Sequence, residues 1–423
     1  MAVNIFNQVV TYNKSELAYL QNTNVFVKKA NKKFVEFEKI PKNLGDTVSF
    51  TKPFRFRSTN TLITTFQNTK QEVETLTISE QQSSSYAFTS SQFLLNAQQF
   101  MEEYGRGNVA EIATAIEANT GQVAVDSPFR FFGDGTSLLL NSFQSLAQAV
   151  SFFTNYGASK IDMTAVLPDV SIPQIIGSGL NQFVMNRNEK MANSWELGDF
   201  AGFEWSKSNL LPVHYSGTVG DQQLVLTLTA VNDPTGVAVT QLTFSGANVS
   251  DPNAFKAGDL ISFDDGVGAL PNLRYLTYTG HIVSANHVQC RVTADAGSDA
   301  GGIVVVDIYP PLCWDITSAQ QNIPATTPLF SGTIRPYQIH AVRSHRAGLL
   351  WSGRALFLAM PRQTDLPPYP TASMVDQDTG VTLRSYHGAT IYNGQLPQVG
   401  YTNDCIWGKK LVPEYGMRLC FPI

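Results

Sequence analysis

The feature that most constrains the fold of this 423-residue sequence is a change of hydrophobic period near residue 216. From there to residue 322 the sequence has no helical pattern, and short apolar runs are separated by breaks rich in Gly, Asp and Pro. Regularly spaced short strands of this kind predict a small barrel or sandwich. The predicted strands span residues 224–231, 237–244, 260–263, 273–283, 288–293 and 303–309.

The same segment is strongly acidic. Residues 216–322 contain ten Asp, no Glu and three basic residues, which gives a net charge of −7, whereas the whole chain carries −5. An acidic all-β block between segments of mixed character is most simply an inserted domain, so we predict an autonomous barrel over residues 216–322. The acidic total argues against a dedicated nucleic-acid-binding protein, which is usually strongly basic.

Residues 91–120 are predicted to form two amphipathic helices in line, with a Gly-Arg-Gly break at residues 105–107 between them. In the second helix Asn108 is the predicted N-cap and Gly121 the predicted stop. Its predicted buried face consists of Val109, Ile112, Ala113 and Ile116. Strand-like segments flank both helices, so we predict that they form the spine of the fold.

Helix and strand periods are mixed in the rest of the chain. A third helix is predicted at residues 137–156 and a fourth from residue 171, with a strand at residues 161–167 between them. After the insertion, strands are predicted at residues 381–386 and 417–421. The chain outside the insertion is therefore assigned to the α+β class.

Two segments near the N-terminus are not compact by themselves. Residues 1–43 read as a polar arm that carries a short cluster of four lysines. Residues 46–80 alternate polar and apolar residues on either side of a polar tip, which predicts one long two-stranded ribbon. Because two strands alone bury too little surface to be stable, the ribbon is expected to lie on something else.

Charged and aromatic residues of the ribbon and the arm are the candidate contact residues. One ribbon strand is basic and the other acidic, and these charges either pair across the ribbon or meet opposite charges on an adjacent subunit. The candidate inter-subunit contacts are Lys52, Phe54, Arg55, Phe56, Arg57, Glu72 and Glu74. The candidate contacts to DNA, for which a solvated charged arm is an equally good interpretation, are Lys28, Lys29, Lys32 and Lys33.

The sequence contains no catalytic motif. It has neither a Gly-x-Ser-x-Gly elbow nor a phosphate-binding loop. His340 and His345 lie five residues apart without an intervening Glu, so we interpret both as structural histidines. Gly177 and Gly179 lie in a helical pattern without the third glycine of a dinucleotide site. We therefore expect a structural or binding protein rather than an enzyme, with no cofactor.

Metal sites, disulfides and membrane spans are not expected either. The acid pairs Asp264/Asp265 and Asp295/Asp299 lack EF-hand spacing and are interpreted as turn residues. The four cysteines show no CxxC spacing and are expected to be reduced and buried. The longest apolar run, residues 347–360, is too short for a membrane span, and there is no signal-peptide pattern, so synthesis in the cytoplasm is expected.

Short motifs along the chain add up to a family likeness. They are VKKANKKF at 27–34, GDTVSFTKP at 45–53, GF at 202–203, LPV at 211–213, FKAGDLISF at 255–263 and VTADAGSDAGG at 292–302. With the order of the parts, these motifs resemble tailed-phage major capsid proteins of the Hong Kong 97-type fold, in particular the P-twenty-two-type coat proteins with an inserted domain. The organisation that the resemblance implies is an N-terminal arm (1–44), an extended β-loop (45–82), a spine helix and peripheral domain (83–136), an axial domain (137–215), the inserted barrel (216–322) and the remainder of the axial and peripheral domains (323–423).

The resemblance also implies a function. It predicts a subunit that self-assembles, as pentamers and hexamers, into the icosahedral shell around the double-stranded DNA of a tailed bacteriophage. The implied partners are further copies of the chain, a scaffolding protein, a portal and the packaged DNA, the last by weak electrostatic contact, with no membrane partner. The alternatives are another phage structural protein, of the tail or of the decoration, and a secreted β-rich binding protein.

Overall fold

The computed structural model describes residues 25–31, 44–52, 55–56, 72–89, 104–136, 140–157, 161–179, 198–264, 272–353, 355–363, 371–375, 382–393 and 396–423. In these residues the helices are α1 (Val25–Lys29), α2 (Arg106–Gly121), α3 (Val123–Asp126), α4 (Phe143–Thr154), α5 (Ile172–Gly179) and α6 (Thr218–Asp221), with 3₁₀ turns at Asp169–Ser171 and Pro413–Tyr415.

The strands follow in chain order. They are β1 (Thr47–Thr51), β2 (Val73–Thr77), β3 (Glu80–Thr89), β4 (Phe131–Phe132), β5 (Thr164–Pro168), β6 (Gly198–Phe200), β7 (Phe203–Ser208), β8 (Val213–His214), β9 (Leu226–Val231), β10 (Val239–Ser245), β11 (Leu260–Phe263), β12 (Arg274–Leu276), β13 (Val283–His287), β14 (Gln289–Val292), β15 (Ile303–Leu312), β16 (Phe330–Ser331), β17 (Thr333–Ile334), β18 (Gln338–Ala341), β19 (His345–Trp351), β20 (Leu356–Ala359), β21 (Thr371–Val375), β22 (Thr382–Asn393), β23 (Leu396–Leu411) and β24 (Gly416–Phe421).

The chain divides into two compact units, each built from separated stretches of sequence. The first unit comprises Met1–Phe50, Glu74–Gly121 and Leu356–Lys410, and the second comprises Thr51–Val73, Gln122–Ala355 and Leu411–Ile423. The predicted insertion at residues 216–322 lies inside the second unit and is not separated from it at this level of division. That the barrel folds independently of the rest of this unit therefore stays a prediction.

In the first unit a long antiparallel sheet supports the predicted spine helix. The sheet has the strand order β20-β23-β22-β21, with β3 paired along β23, and α2 packs against β3. The predicted buried face of α2 is fully buried and the helix ends at Gly121, so both predictions are confirmed. The first spine helix, predicted from residue 91, lies mostly outside the described residues.

The predicted break before α2 is wrong. Tyr104 and Gly105 are wound as a π-helical turn that leads directly into α2, so Gly107 and Asn108 lie inside the helix. Asn108 is therefore not an N-cap. Its side chain instead donates a hydrogen bond to Ser84 Oγ and accepts one from Asn403 Nδ2, both at 2.9 Å. Side-chain bonds to the neighbouring sheet thus hold a segment that its local sequence marks as a helix boundary.

The predicted ribbon is present at its base. β1 and β2 form a two-stranded sheet, and the backbone hydrogen bond from Lys52 N to Glu72 O (2.9 Å) continues the pairing beyond it. Val48 is the one buried side chain of β1, and Leu76 is the one buried side chain of β2. The tip of the ribbon, residues 57–71, lies outside the described residues.

A mixed sheet organises one half of the second unit. Its strand order is β4-β24-β19-β5-β7-β6, with β8 paired to β19, and α4 and α5 contribute to a shared hydrophobic cluster with it. The predicted third helix begins at Phe143 rather than at residue 137, because the Ser142 and Ser145 side chains form a capping box there. The predicted strands at 161–167 and 417–421 are confirmed as β5 and β24.

A closed six-stranded barrel forms the other half of the second unit, in the order β10-β15-β14-β11-β18-β9. Along β15, Val304, Val306 and Ile308 are buried and the residues between them are exposed, as expected for a strand with one face toward a core. Two details of the prediction are wrong. The run at 273–283 lies outside the barrel, in the β12–β13 hairpin, and the sixth barrel strand is β18, beyond the predicted end at residue 322.

Candidate functional site

The histidines and acids that were weighed as catalytic or metal-binding groups have structural partners. His340 Nε2 lies 2.8 Å from Asp264 Oδ2, and His345 Nδ1 lies 2.7 Å from the Arg343 carbonyl oxygen. Asp299 accepts hydrogen bonds from the backbone N–H groups of Gly301 and Ile303, as turn residues do, and Asp295 accepts one from the distant Ala257 N. Asp265 lies outside the described residues. In the described parts of the chain, no three His, Cys, Asp or Glu side chains are grouped so that they would hold a metal ion.

The cysteines are free and buried, as predicted: Cys290, Cys313, Cys405 and Cys420. Burial raises the pKa of the Cys290 and Cys405 thiols well above the ordinary value, and Asp404 adds to the effect on Cys405. Thiols of this kind are poor nucleophiles because the reactive form is the thiolate.

Two of the ribbon candidates, Lys52 and Glu72, belong to a cluster of charged and phenolic groups in which Lys52 and Glu414 are buried. Lys52 is 7% exposed, and its Nζ donates a hydrogen bond to Glu414 Oε1 at 2.9 Å. The Tyr309 hydroxyl donates to the same oxygen at 2.9 Å and lies 3.4 Å from Lys52 Nζ. Glu72 Oε2 lies 3.5 Å from Lys52 Nζ. We call Lys52, Glu72, Tyr309 and Glu414 the root cluster.

The backbone at Glu414 is held by the side chain of Arg130. It lies on the Pro413–Tyr415 turn, and the buried Arg130 guanidinium donates through Nη2 to the carbonyl oxygens of Glu414 and Gly416, both at 3.1 Å. The guanidinium also lies over the Tyr156 ring, at 4.2 Å from its centroid. Burial lowers the pKa of Arg130, and burial together with the Glu414 carboxylate raises the pKa of Tyr309. The phenol of Tyr309 therefore keeps its proton and acts as a donor.

Arg55 contacts its own chain three residues beyond Lys52. Its guanidinium lies 4.7 Å from the centroid of the Tyr278 ring, and Nη1 donates to Gln320 Oε1 at 3.1 Å. Phe56, the next residue, is 67% exposed. Phe54 and Arg57 lie outside the described residues. Lys52 and Arg55, predicted as inter-subunit contacts, are thus engaged within the second unit, and Phe56 is the described candidate that faces solvent.

The remaining candidates lie in the first unit. Glu74 pairs with Lys410, with 3.0 Å between Oε2 and Nζ. In the arm, Lys28 is exposed and Lys29 half-buried at the end of α1, while Phe26 beside them is fully buried. Lys32 and Lys33 lie outside the described residues, so the lysine cluster stays a candidate contact.

A second buried polar network lies between β8, β19, β24 and the segment before β11. His214 Nε2 is 2.7 Å from Asp259 Oδ1, and Asp259 Oδ2 accepts hydrogen bonds from two backbone N–H groups. Arg418 donates to the carbonyl oxygens of Ala124 and Gly258 at 2.8 and 2.9 Å, and its Nη1 lies 3.4 Å from His345 Nε2. Burial, then Arg418 and His214, lower the pKa of His345 to about 3.

Sequence reasoning found Lys52 but none of its main partners. Tyr309 and Glu414 are 257 and 362 residues away along the chain. Each lies next to a proline, Tyr309 before Pro310 and Glu414 after Pro413, and the Tyr309-Pro310 peptide bond is cis. Those prolines mark unusual backbone but carry no information on which cation the side chains contact.

No helix in the described chain is long and apolar enough to cross a membrane.

No protein-family model and no curated protein matches the sequence. Among solved structures, the chain is similar to a chain of Mycobacterium phage Che8, with 10% identity, 94% of this chain and 91% of that chain covered, and a TM-score of 0.44. It is also similar to a chain of the capsid of Cyanophage P-SCSP1u, with 11% identity, 93% and 89% coverage and a TM-score of 0.42. A chain of the capsid of Ralstonia phage GP4 shows 8% identity, 93% and 87% coverage and a TM-score of 0.42.

Proposed function

We propose that this chain is the major capsid protein of a tailed bacteriophage, a subunit that assembles into the icosahedral shell around a double-stranded DNA genome. The observation that carries the proposal is the ribbon. Its two strands bury one side chain each, yet its root is fixed by buried charges, and Phe56 stands exposed where the chain continues toward the tip. A two-stranded element with so little buried apolar surface gains stability when another copy of the chain covers it.

The energies of exposed contacts indicate which ribbon groups bind the neighbouring subunit. Exposed ion pairs contribute only about 0 to 1 kcal/mol each, so ribbon charges alone do not make a strong contact. An exposed aromatic side chain such as Phe56 contributes more when it is buried against a partner. We therefore assign contact with the neighbouring subunit mainly to the aromatic and backbone groups of the ribbon, and secondarily to Arg57.

The proposed partners follow from the assembly. The main partner is the chain itself, in pentamers and hexamers of a closed shell, with a scaffolding protein and a portal as further partners. The lysines of the arm, Lys28, Lys29, Lys32 and Lys33, are proposed to make weak, salt-dependent contacts with packaged DNA. The proposed location is the virion capsid, after synthesis in the host cytoplasm, and catalysis has no part in the proposal.

The proposal is tested by the assembly state of the purified chain. The chain is expressed alone and together with the structural proteins encoded beside it, and the products are examined by sedimentation velocity and negative-stain electron microscopy. We expect capsomers, sheets or closed shells. A monomer that is fully folded and remains monomeric at high protein concentration, in both expressions and across a range of salt, would contradict the proposal.

A further inference from the structure

We infer that the root cluster, together with Arg55, is a positioning device that sets the direction of the outer ribbon within the second unit. The outer ribbon is defined here as residues 51–73, of which residues 51–52, 55–56 and 72–73 are described. The inference rests on the proposed function for its consequence, because the direction of the outer ribbon decides where a neighbouring subunit meets it. The geometry itself lies within the second unit.

The first element of the device is a cation that is held from two sides. Lys52 is almost completely buried, and a buried ammonium group is tolerated only when nearby acceptors replace its water. Its Nζ meets Glu414 Oε1 at 2.9 Å and Glu72 Oε2 at 3.5 Å. Lys52 precedes the predicted tip of the ribbon and Glu72 follows it. One ammonium group therefore joins the two halves of the ribbon.

The partners of Lys52 are themselves fixed. Tyr309 is part of β15 in the barrel, and its hydroxyl donates to the same Glu414 oxygen as Lys52. The backbone of Glu414 is held by Arg130, whose guanidinium is buried against the Tyr156 ring. Because Glu414 is fixed in this way, its carboxylate does not move with the ribbon. A change in ribbon direction therefore breaks the 2.9 Å hydrogen bond between Lys52 Nζ and Glu414 Oε1.

Arg55 supplies a second fixed point. The Arg55 guanidinium lies over the Tyr278 ring and donates a hydrogen bond to Gln320. Tyr278 lies between β12 and β13 and belongs to the same hydrophobic cluster as the barrel interior, and Gln320 lies in the segment after β15. A single anchored residue fixes a position but leaves rotation about it free. Two anchored residues, three apart in the chain, fix a direction as well. Lys52 and Arg55 together therefore orient the part of the chain next to exposed Phe56.

A purely stabilising role is the competing interpretation. Replacing a buried ion pair by apolar side chains of similar size is often neutral or stabilising, whereas removing one partner leaves an unpaired buried charge and is costly. An apolar version of the cluster therefore separates the two roles: it restores stability, but it lacks the directional hydrogen bonds that hold the ribbon at one angle.

The experiment compares four proteins. They are the wild type, Lys52→Met, the apolar replacement Lys52→Met/Tyr309→Phe/Glu414→Leu, and Lys207→Met as a control that removes an exposed lysine paired with Asp169 at 3.7 Å. Melting temperature and the yield of closed particles are measured for each, the particles at a temperature well below every melting transition. We expect Lys52→Met to melt lower and to give less than a tenth of the wild-type closed particles. The apolar replacement is expected to recover the melting temperature but not the particles, and Lys207→Met to match the wild type.

Recovery of both melting temperature and particles by the apolar replacement would overturn the inference, as would normal particles from Lys52→Met. If Lys52→Met does not fold, the apolar replacement still decides. If the wild type itself forms no particles, the proposed function fails, and the inference is decided on the subunit by backbone hydrogen exchange. We expect the backbone amides of residues 51–52, 55–56 and 72–73 to exchange at least tenfold faster in the apolar replacement than in Lys207→Met. Equal rates would overturn the inference.

Discussion

The barrel and the outer ribbon are both built from β-strands, but they are stabilised in opposite ways. Each barrel strand pairs on both sides, so the barrel has no open edge, and its interior contains fully buried apolar side chains such as Phe244 and Phe263. The outer ribbon is predicted to have two strands only, and its described apolar residues Phe56 and Val73 are 67% and 56% exposed. Of its described residues, Lys52 is the buried one.

This contrast shows how one chain combines a self-sufficient element with a dependent one. Apolar burial is non-directional and stabilises the barrel whatever surrounds it. The ribbon has too little apolar surface to be stable in this way, so it relies on hydrogen bonds and ion pairs at its root, whose strength depends on geometry. We expect mutations in the barrel to change stability and mutations in the outer ribbon to change assembly.

The largest expected effect comes from opening the barrel. A fragment of residues 216–343 contains all six barrel strands and is expected to unfold cooperatively, with a β-type circular dichroism spectrum. A fragment of residues 216–322 lacks β18, which pairs with both β11 and β9. This fragment is expected to show no cooperative transition. A fragment of residues 195–322 has the same length as the first and serves as the control. Cooperative unfolding of the fragments that end at 322 would show that the barrel closes without β18.

The second prediction compares an interior residue with a ribbon residue. Phe263→Ala removes a fully buried ring from the barrel and is expected to lower the free energy of unfolding by about 3 to 5 kcal/mol. Val73→Ala in the ribbon is expected to change it by less than about 0.5 kcal/mol, because most of that side chain is exposed. Urea unfolding of both variants measures the difference. Similar losses in the two variants would contradict the contrast drawn between the regions.

The third prediction concerns pH and the interior of the second unit. His345 has a folded-state pKa of about 3 against an ordinary value of 6.5, so between these values the unfolded chain binds a proton that the folded chain does not. Stability is therefore lost as pH falls from about 6.5 toward 3, by up to about 1.4 kcal/mol per pH unit from this group, and is unaffected by it above 6.5.

The test is the melting temperature between pH 7 and pH 5. We expect a smaller decrease in His345→Gln than in the wild type. If His345→Gln does not fold, the titration of the His345 ring is followed by NMR in the wild type, where a pKa near 6.5 would contradict the prediction.

The smallest effect on stability is expected at Phe56. Phe56→Ser is expected to change the free energy of unfolding by less than about 0.5 kcal/mol, because the ring is mostly exposed, but to reduce the yield of closed particles severalfold. Val170→Ser, at a residue that is 72% exposed away from the ribbon, is the matched control. Sedimentation velocity measures the yield. Equal yields from the two variants would show that Phe56 is not a contact residue.

Much of the fold could be predicted where a local pattern carries the information. The buried face of α2 and its end at Gly121 follow from apolar spacing and from a glycine, and five of the six barrel strands follow from alternating runs between turns. The predicted break before Asn108 was wrong because bonds from that side chain to Ser84 and Asn403 come from distant segments. Local rules for helix ends contain no information on such partners.

The candidate site divides in the same way. The amino-acid sequence by itself predicted a two-stranded ribbon over residues 46–80 with basic residues on one side, and the pairing of β1 with β2 confirms its base. The sequence is sufficient for this because strand period, turn residues and charge are properties of neighbouring positions. Only the tertiary structure decided that Lys52 is buried against Glu414 and Tyr309, that Arg55 stacks on Tyr278, and that β18 closes the barrel. These contacts join residues far apart in the chain, and their partners are selected by the packing of the whole unit, which no local period encodes.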